Sequence, residues 1–319
     1  MSTADPVTAV YDIPMRVRFR GQDRRTGLLL RGPAGWGEFS PFPEYDAAVS
    51  ARWLAAAQEA ATEGWPDPVR SSVPVNTTVP AVGPERAHAL VASSGCRTAK
   101  VKVAETGQTL ADDIARVEAV RDALGPDGAL RVDANAAWDL DSAADALRAL
   151  TRFDLEYAEQ PVRSLEEMAL LRRRVDVRLA ADESVRTAAD PLRVAGLEAA
   201  DVVVLKVQPL GGVRRCLDVA EACGLPVVVS SAIETSVGIA AGVALAAALP
   251  DLPFACGLGT VPLIDGDVCA DPLLPVDGEL PVRPARPDPG LLATHAADDA
   301  TRNRWLERLA AAQEVLDAR

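Results

Sequence analysis

Between Thr98 and Gln208 the chain carries five short apolar runs: TAKVKV (98–103), ALRVDAN (129–135), LEYAEQP (155–161), VRLAADE (177–183) and VVVLKVQ (202–208). Each holds an ionisable residue at or near its C-terminal end, namely Lys102, Asp133, Glu159, Asp182 and Lys206. The last four are separated by 26, 23 and 24 residues. A strand, a crossover helix and the turn back occupy about that length, so the spacing predicts a repeated βα unit. The segments between, such as TLADDIARVEAVRDAL and GGVRRCLDVAEACG, repeat apolar residues every three or four positions, as a helix with one buried face does.

The pattern extends outward in both directions. VPVNTTV (73–79) precedes these runs, and PVVVSSAIE (226–234) and PFACGLG (253–259) follow them, which makes eight strands joined by seven helical connections. Strictly alternating strands and helices form a parallel sheet, and eight such strands close most economically on themselves. The predicted fold is therefore α/β, a (β/α)7β TIM-like barrel over residues 73–279. Residues 1–72 break the rhythm with an RVRFR run, the Gly-rich GPAGWGEFSPFPEY and the Ala-rich AAVSARWLAAAQEAAT. They are read as an N-terminal α+β capping domain. Residues 280–319, Pro-rich PVRPARPDPG followed by a polar Ala-rich helix, are too few for a domain and are predicted to pack back on the capping domain.

Composition narrows the function. The chain has 319 residues and a formal charge of -13, with acids and arginines interspersed, which disfavours nucleic acid and anionic membranes as partners. No apolar run approaches the roughly 18 to 20 residues of a membrane span, and the opening MSTADPVTAVYDIPM lacks a secretory layout, so a cytoplasmic protein is expected. The five cysteines are scattered and form no CxxC pair, which argues against disulfides and thiolate zinc. With only His88 and His295 in the chain, histidine metal sites and Ser-His-Asp chemistry have little material.

Active sites of such barrels lie where the strands end, so Asp133, Glu159, Asp182 and Lys206 are expected at one mouth. Three carboxylates there raise one another's pKa unless a counter-charge is supplied. Taken singly, each could instead cap the following helix. Together, at barrel-unit spacing, they point to a hard divalent cation held by oxygen alone, Mg²⁺ with Mn²⁺ as substitute. Lys100 and Lys102 share one face of their strand by the period of two, with Lys206 across the mouth. A neighbouring ammonium or cation favours a neutral lysine, which makes this Lys-x-Lys pair the candidate source of a general base. A Lys-x-Lys run alone is more often a solvated edge; beside the carboxylates it gains this meaning.

The order Lys-x-Lys (100–102), Asp-x-Asn (133–135), Glu-Gln-Pro (159–161), Asp-Glu-Ser (182–184) and Lys206 resembles the muconate lactonizing subgroup of the enolase superfamily over nearly the whole chain. The resemblance implies Asp133, Glu159 and Asp182 as metal ligands, Lys102 as base on one face of the substrate and Lys206 opposite. It also implies a small-molecule carboxylate substrate. Dipeptide epimerases of that subgroup usually carry Asp-x-Asp on the eighth strand, where this chain has Ala255-Cys256-Gly257-Leu258-Gly259-Thr260. With RVDAN (131–135) and SSAIE (230–234), this strand looks like that of the o-succinylbenzoate synthases, which implies loss of water from a hydroxycyclohexadiene carboxylate through a metal-bound enolate.

Arg131 and Asn135 fall on the same side of their strand as Asp133. Arg131 is read as a substrate contact or as a structural ion pair inside the barrel, with both left open. Ser230, Ser231 and the backbone around Gly257 are candidates for holding the succinyl chain, although glycine there could serve only a turn. Glu183 is read as supporting a ligand or capping a helix, Trp36 and Glu38 as structural, and a specificity loop is placed near Phe19 to Arg25. Two rivals remain, an N-acylamino-acid racemase using both lysines and a barrel without chemistry. The oligomeric state is not legible.

Overall fold

A computed structural model describes residues 7–19, 21–186 and 192–318. The N-terminal region is an antiparallel sheet of β1 (Val7–Phe19), β2 (Gln22–Arg31) and β3 (Trp36–Phe39), followed by helix α1 (Ala47–Thr62). Phe19 pairs with Gln22, so β1 and β2 form a hairpin that turns at Gly21, whose φ of 72 suits glycine. Asp46 starts α1 by accepting from the Val49 N–H.

Eight parallel strands follow: β4 (Ser72–Val79), β5 (Thr98–Lys102), β6 (Ala129–Asp133), β7 (Leu155–Glu159), β8 (Leu179–Ala181), β9 (Val202–Lys206), β10 (Val227–Ser230) and β11 (Cys256–Gly259). Each pairs with its neighbour in sequence, and β11 pairs with β4, so the sheet closes into a barrel. The seven connections carry α2 (Pro84–Ala92), α3 (Leu110–Leu124), α4 (Leu140–Leu150), α5 (Leu165–Arg172), the short α6 (Glu183–Arg186) with α7 (Arg193–Gly196), α8 (Val207–Leu210) with α9 (Val213–Cys223), and α10 (Ser236–Ala248). This is the (β/α)7β barrel that the repeat predicts. Helix starts are written in the sequence. Thr109 with Asp112 and Ser164 with Glu167 form reciprocal capping boxes, and Asp139 caps α4.

The period of two sorts side chains inside and outside the barrel. Val101, Val132, Ala158, Val203, Leu205 and Val229 face the helices and join the main core, whereas Tyr157, Ala180, Val202, Val204, Val228 and Phe254 pack together as a separate layer inside the barrel. Two residues further along the same interior face come Glu159, Asp182, Lys206 and Ser230. The barrel is thus filled below mainly by apolar residues, with Arg131 and Asn76 buried among them, and lined above by polar ones.

A last strand, β12 (Glu279–Pro281), pairs antiparallel with β4, and α11 (Pro289–Thr294) and α12 (Asp299–Asp317) complete the chain. Helix α12 lies against α1; Trp305 meets Phe39 edge-on at 5.7 Å, and Arg308 donates to the carbonyls of Pro41 and Phe42. Among the described residues no helix is long and apolar enough to cross a membrane. All five cysteines are free and buried.

Candidate active site

The C-terminal ends of β5 to β9 bring the predicted ionisable residues to one mouth, nearly all of them shielded from solvent. Asp133 and Glu159 are 1% exposed and Asp182 0%, and Asp133 is the register partner of both Lys102 and Glu159. Each carboxylate meets an ammonium. Lys100 Nζ donates to both oxygens of Glu159 at 2.7 and 2.9 Å, Lys102 Nζ to Asp133 Oδ2 at 2.5 Å and Asn135 Oδ1 at 2.6 Å, and Lys206 Nζ to Asp182 Oδ2 at 2.6 Å.

The electrostatics of this cluster are lopsided. Burial and then the charge of Asp133, with that of Asp182, push Glu159 up to about 7 against the pull of Lys100. Burial disfavours the charge of Lys100, but Glu159 and Asp133 outweigh it and hold its ammonium above the ordinary lysine range. Lys102 goes the other way. Burial lowers it, and Lys100 adds to the lowering against the pull of Asp133. For Asp133, Lys102 and Lys100 overcome burial and keep the carboxyl ionised.

Among the described residues no three His, Cys, Asp or Glu side chains surround a common point, since the carboxylates are turned onto the lysines. The donor set nevertheless fits a hard divalent cation. It consists of three oxygen acids at the ends of adjacent strands, with no histidine or cysteine among them. Asp133, Glu159 and Asp182 are the residues that could hold it.

Backbone strain accompanies the site. Ala104, Asn135, Ala136, Gln160 and Ile233 have φ of 60, 46, 62, 37 and 61, and all follow the ends of β5, β6, β7 or β10. Non-glycine residues in this region cost about 1–3 kcal/mol each, so surrounding contacts must hold them. Gln160 illustrates how. Its Oε1 accepts the N–H groups of Asp182 and Ser184, and its Nε2 donates to the Val162 carbonyl, which fixes the end of β8. Glu183 accepts from Asn135 Nδ2 at 3.2 Å and so supports the partner of Lys102.

The remaining arc of the mouth is uncharged. Ser230, Ser231, Ala232, Ile233, Gly257, Thr260 and Thr78 line a cavity together with Lys100, Lys102, Asn135 and Lys206. Ser230 and Gly257 are register partners, and Ser231 Oγ donates to the Gly257 carbonyl at 3.0 Å and bonds Thr260 Oγ1 at 2.8 Å. Phe19 and Phe42 close the cavity from the capping domain, with Lys102 Nζ 5.0 Å from the Phe19 ring centre. The open space inside is about 30 Å³, roughly that of one water molecule. Beyond Phe19 lies a groove of about 520 Å³ that also reaches Lys102 and Asn135. Phe19 therefore partitions the mouth.

Arg131 is a correction to the substrate-contact expectation. It points inward like Asp133 but one layer deeper, fully buried and away from the cavity, where Nε meets Glu156 Oε2 at 2.5 Å and Nη1 meets Asn76 Oδ1 and the Ala255 carbonyl. Its guanidinium stacks 4.7 Å from the Tyr157 ring centre. The structural ion pair is the reading that holds. Sequence reasoning left Phe19 without a role and missed Phe42, Thr78 and Thr260. Thr78 carried a weak signal, because Asn76, Thr77 and Thr78 form a polar run near the end of an otherwise mostly apolar strand; the phenylalanines come from another domain and carry no such signal.

Comparisons with known proteins agree with this architecture. The chain matches the models for enolase C-terminal domain-like sequences over residues 84–298 and for enolase N-terminal domain-like sequences over residues 10–61. Among solved structures, muconate cycloisomerase from Pseudomonas fluorescens superposes with a TM-score of 0.76 at 23% identity, covering 92% of this chain and 99% of that one. The L-Ala-D/L-Glu epimerase from Bacillus subtilis superposes with a TM-score of 0.75 at 23% identity, covering 88% and 95%. These likenesses carry the fold. Sequence relatives go further. An o-succinylbenzoate synthase from Thermobifida fusca is 65% identical over 95% of both chains, and one from Mycolicibacterium smegmatis is 54% identical over 96% of this chain and 95% of its own. With both domains, the barrel and the full chain length in agreement, the protein belongs to the o-succinylbenzoate synthases of the enolase superfamily, whose enzymes are generally divalent-metal dependent.

Proposed function

We propose that the chain catalyses dehydration of 2-succinyl-6-hydroxy-2,4-cyclohexadiene-1-carboxylate to 2-succinylbenzoate, a step of menaquinone biosynthesis, in the cytoplasm and with Mg²⁺. The observation that carries the reading is Lys102. It is a buried amine held by Asp133 Oδ2 at 2.5 Å and Asn135 Oδ1 at 2.6 Å, and it borders a cavity that is charged on one side and neutral on the other.

Lys102 takes the α-proton of the substrate; the electron pair of that C–H bond becomes the new ring double bond as the C–O bond breaks. The proton held on Lys102 Nζ then passes to the departing hydroxyl on the same face, and water leaves. Lys206, on the same cavity, sits against the ring and takes no part in the proton transfer. Asn135 holds Lys102 at 2.6 Å and Glu183 holds Asn135, so the base is aimed before substrate binds. A divalent cation held by Asp133, Glu159 and Asp182 would stabilise the negative charge that develops on the substrate carboxylate. Ser230, Ser231 and the backbone at Gly257 face the succinyl chain. Because pockets for ligands of this size need about 300 Å³ or more, the reading requires the inner cavity and the outer groove, both lined by Phe19, to join on substrate binding.

The test follows product and label together. Purified protein with Mg²⁺ and the hydroxycyclohexadiene substrate is expected to develop the absorbance of an aromatic ring, and a chelator to abolish it. Solvent deuterium entering the α-position of N-succinyl amino acids without any dehydration would replace this reading with racemisation.

A further inference from the structure

Glu38 closes the Gly-Trp-Gly-Glu stretch and lies outside the cavity, yet it is 2% exposed and fully engaged. Its Oε1 accepts from Tyr11 Oη at 2.7 Å and Ser40 Oγ at 2.8 Å, both from the capping domain. Its Oε2 crosses to the barrel, where it accepts the N–H groups of Thr235 and Gly238 at 3.1 Å each and the Thr235 hydroxyl. Thr235 is the N-cap of α10, so a carboxylate from another domain satisfies donors that the helix itself leaves unpaired. Gly238 makes the approach feasible, since a Cβ there would sit 3.1 Å from Glu38 Cδ and 2.4 Å from Glu234 Cβ.

Arg25 grips the same link two residues earlier. It is 2% exposed, its Nε donates to the Ile233 carbonyl at 2.6 Å, and its Nη2 reaches the Ser40 carbonyl and hydroxyl. Ile233 has a φ of 61, an unfavourable conformation for a β-branched residue that must be held from outside. Between β10 and α10 the chain runs only from Ser231 to Thr235, and Ser231, Ala232 and Ile233 of that link line the cavity. Inside the turn, Glu234 Oε2 accepts the Ala232 N–H at 2.7 Å. The neutral wall of the pocket is thus anchored at both Ile233 and Thr235 by capping-domain residues that do not touch the cavity.

We propose that Glu38 is a positioning residue for substrate binding: by capping α10 across the domain boundary it sets the place of the Ser231–Ile233 wall, with Arg25 as its companion. The role deepens the dehydration reading and rests on it for the choice of substrate. The wall meets the part of the substrate that does not react, so its displacement weakens ground-state and transition-state binding alike.

The experiment compares wild type, Glu38→Ala and Glu38→Gln by steady-state kinetics on folded protein and by hydrogen exchange of the 231–238 amides. Glu38→Ala is expected to raise KM about tenfold with kcat within about threefold. Glu38→Gln keeps an oxygen for Thr235 and Gly238 and can turn its NH2 to the Tyr11 and Ser40 hydroxyl oxygens, so it should restore both KM and amide protection. A Glu38→Ala protein that melts earlier but keeps wild-type KM and exchange at 231–238 overturns the proposal, as does a Gln variant as impaired as Ala. Should Glu38→Ala fail to fold, Arg25→Lys keeps the charge and loses the fork between Ile233 and Ser40; an unchanged KM there overturns it equally. Wild type inactive in dehydration would instead sink the functional reading, while the exchange comparison still decides the role of Glu38.

Discussion

The two arcs of the barrel mouth are built differently. From β5 to β9 the arc is charged and made by strand ends: Lys102, Asp133, Glu159 and Lys206 are the last residues of their strands, and Asp182 directly follows β8. From β10 through β11 to β4 the arc is neutral, and much of it comes from the link after β10 and from Phe19 and Phe42 of the capping domain. The difference teaches how labour divides. Proton transfer needs amines and acids held to a fraction of an ångström, which strand ends supply. Recognition of an unreactive chain needs shape, which a link and a second domain can vary without touching the chemistry.

Breaking the charged arc is expected to have the largest effect. Lys102→Ala should lower kcat by about 10³-fold while the protein stays folded, as loss of a positioned general base does. Turnover within tenfold of wild type would remove Lys102 from its role. The neutral arc should respond in KM instead. In Gly257→Ala the added Cβ lies 2.5 Å from Ser230 Oγ, so Ser230 must shift on the cavity wall. A KM raised about tenfold with kcat nearly unchanged is expected from steady-state kinetics, and a fall in kcat with constant KM would show that this arc takes part in chemistry. The smallest effect on turnover belongs beneath both arcs. Arg131→Met should leave kcat and KM within about twofold yet destabilise by roughly 2–3 kcal/mol, less than a fully buried pair because Glu156 is partly exposed. Thermal melting beside kinetics checks this, and a KM that rises with intact stability would return Arg131 to the substrate.

Arg131 also marks where reading from sequence stops. It precedes Asp133 by two residues, so its side of the strand follows from the period alone. Its depth does not, because two residues along a strand are about 6.6 Å, enough to carry a side chain from the mouth to the floor. Lys100 shows the same ambiguity resolved the other way, since it lies below Lys102 yet still borders the cavity. Glu38 was legible only as part of a Gly-rich stretch; its partners, Thr235 and Gly238, lie about 200 residues away, and nothing local announces them.

By itself, the order of residues determined the repeat, the barrel and the charged arc, because strand period and unit length are local properties that turn spacing directly into position. Tertiary structure alone decided which carboxylate meets which lysine, how deep Arg131 sits, and how Phe19, Arg25 and Glu38 shape the neutral arc. Those depend on contacts between segments far apart in the chain, where packing and the burial of charge, not periodicity, select the partner.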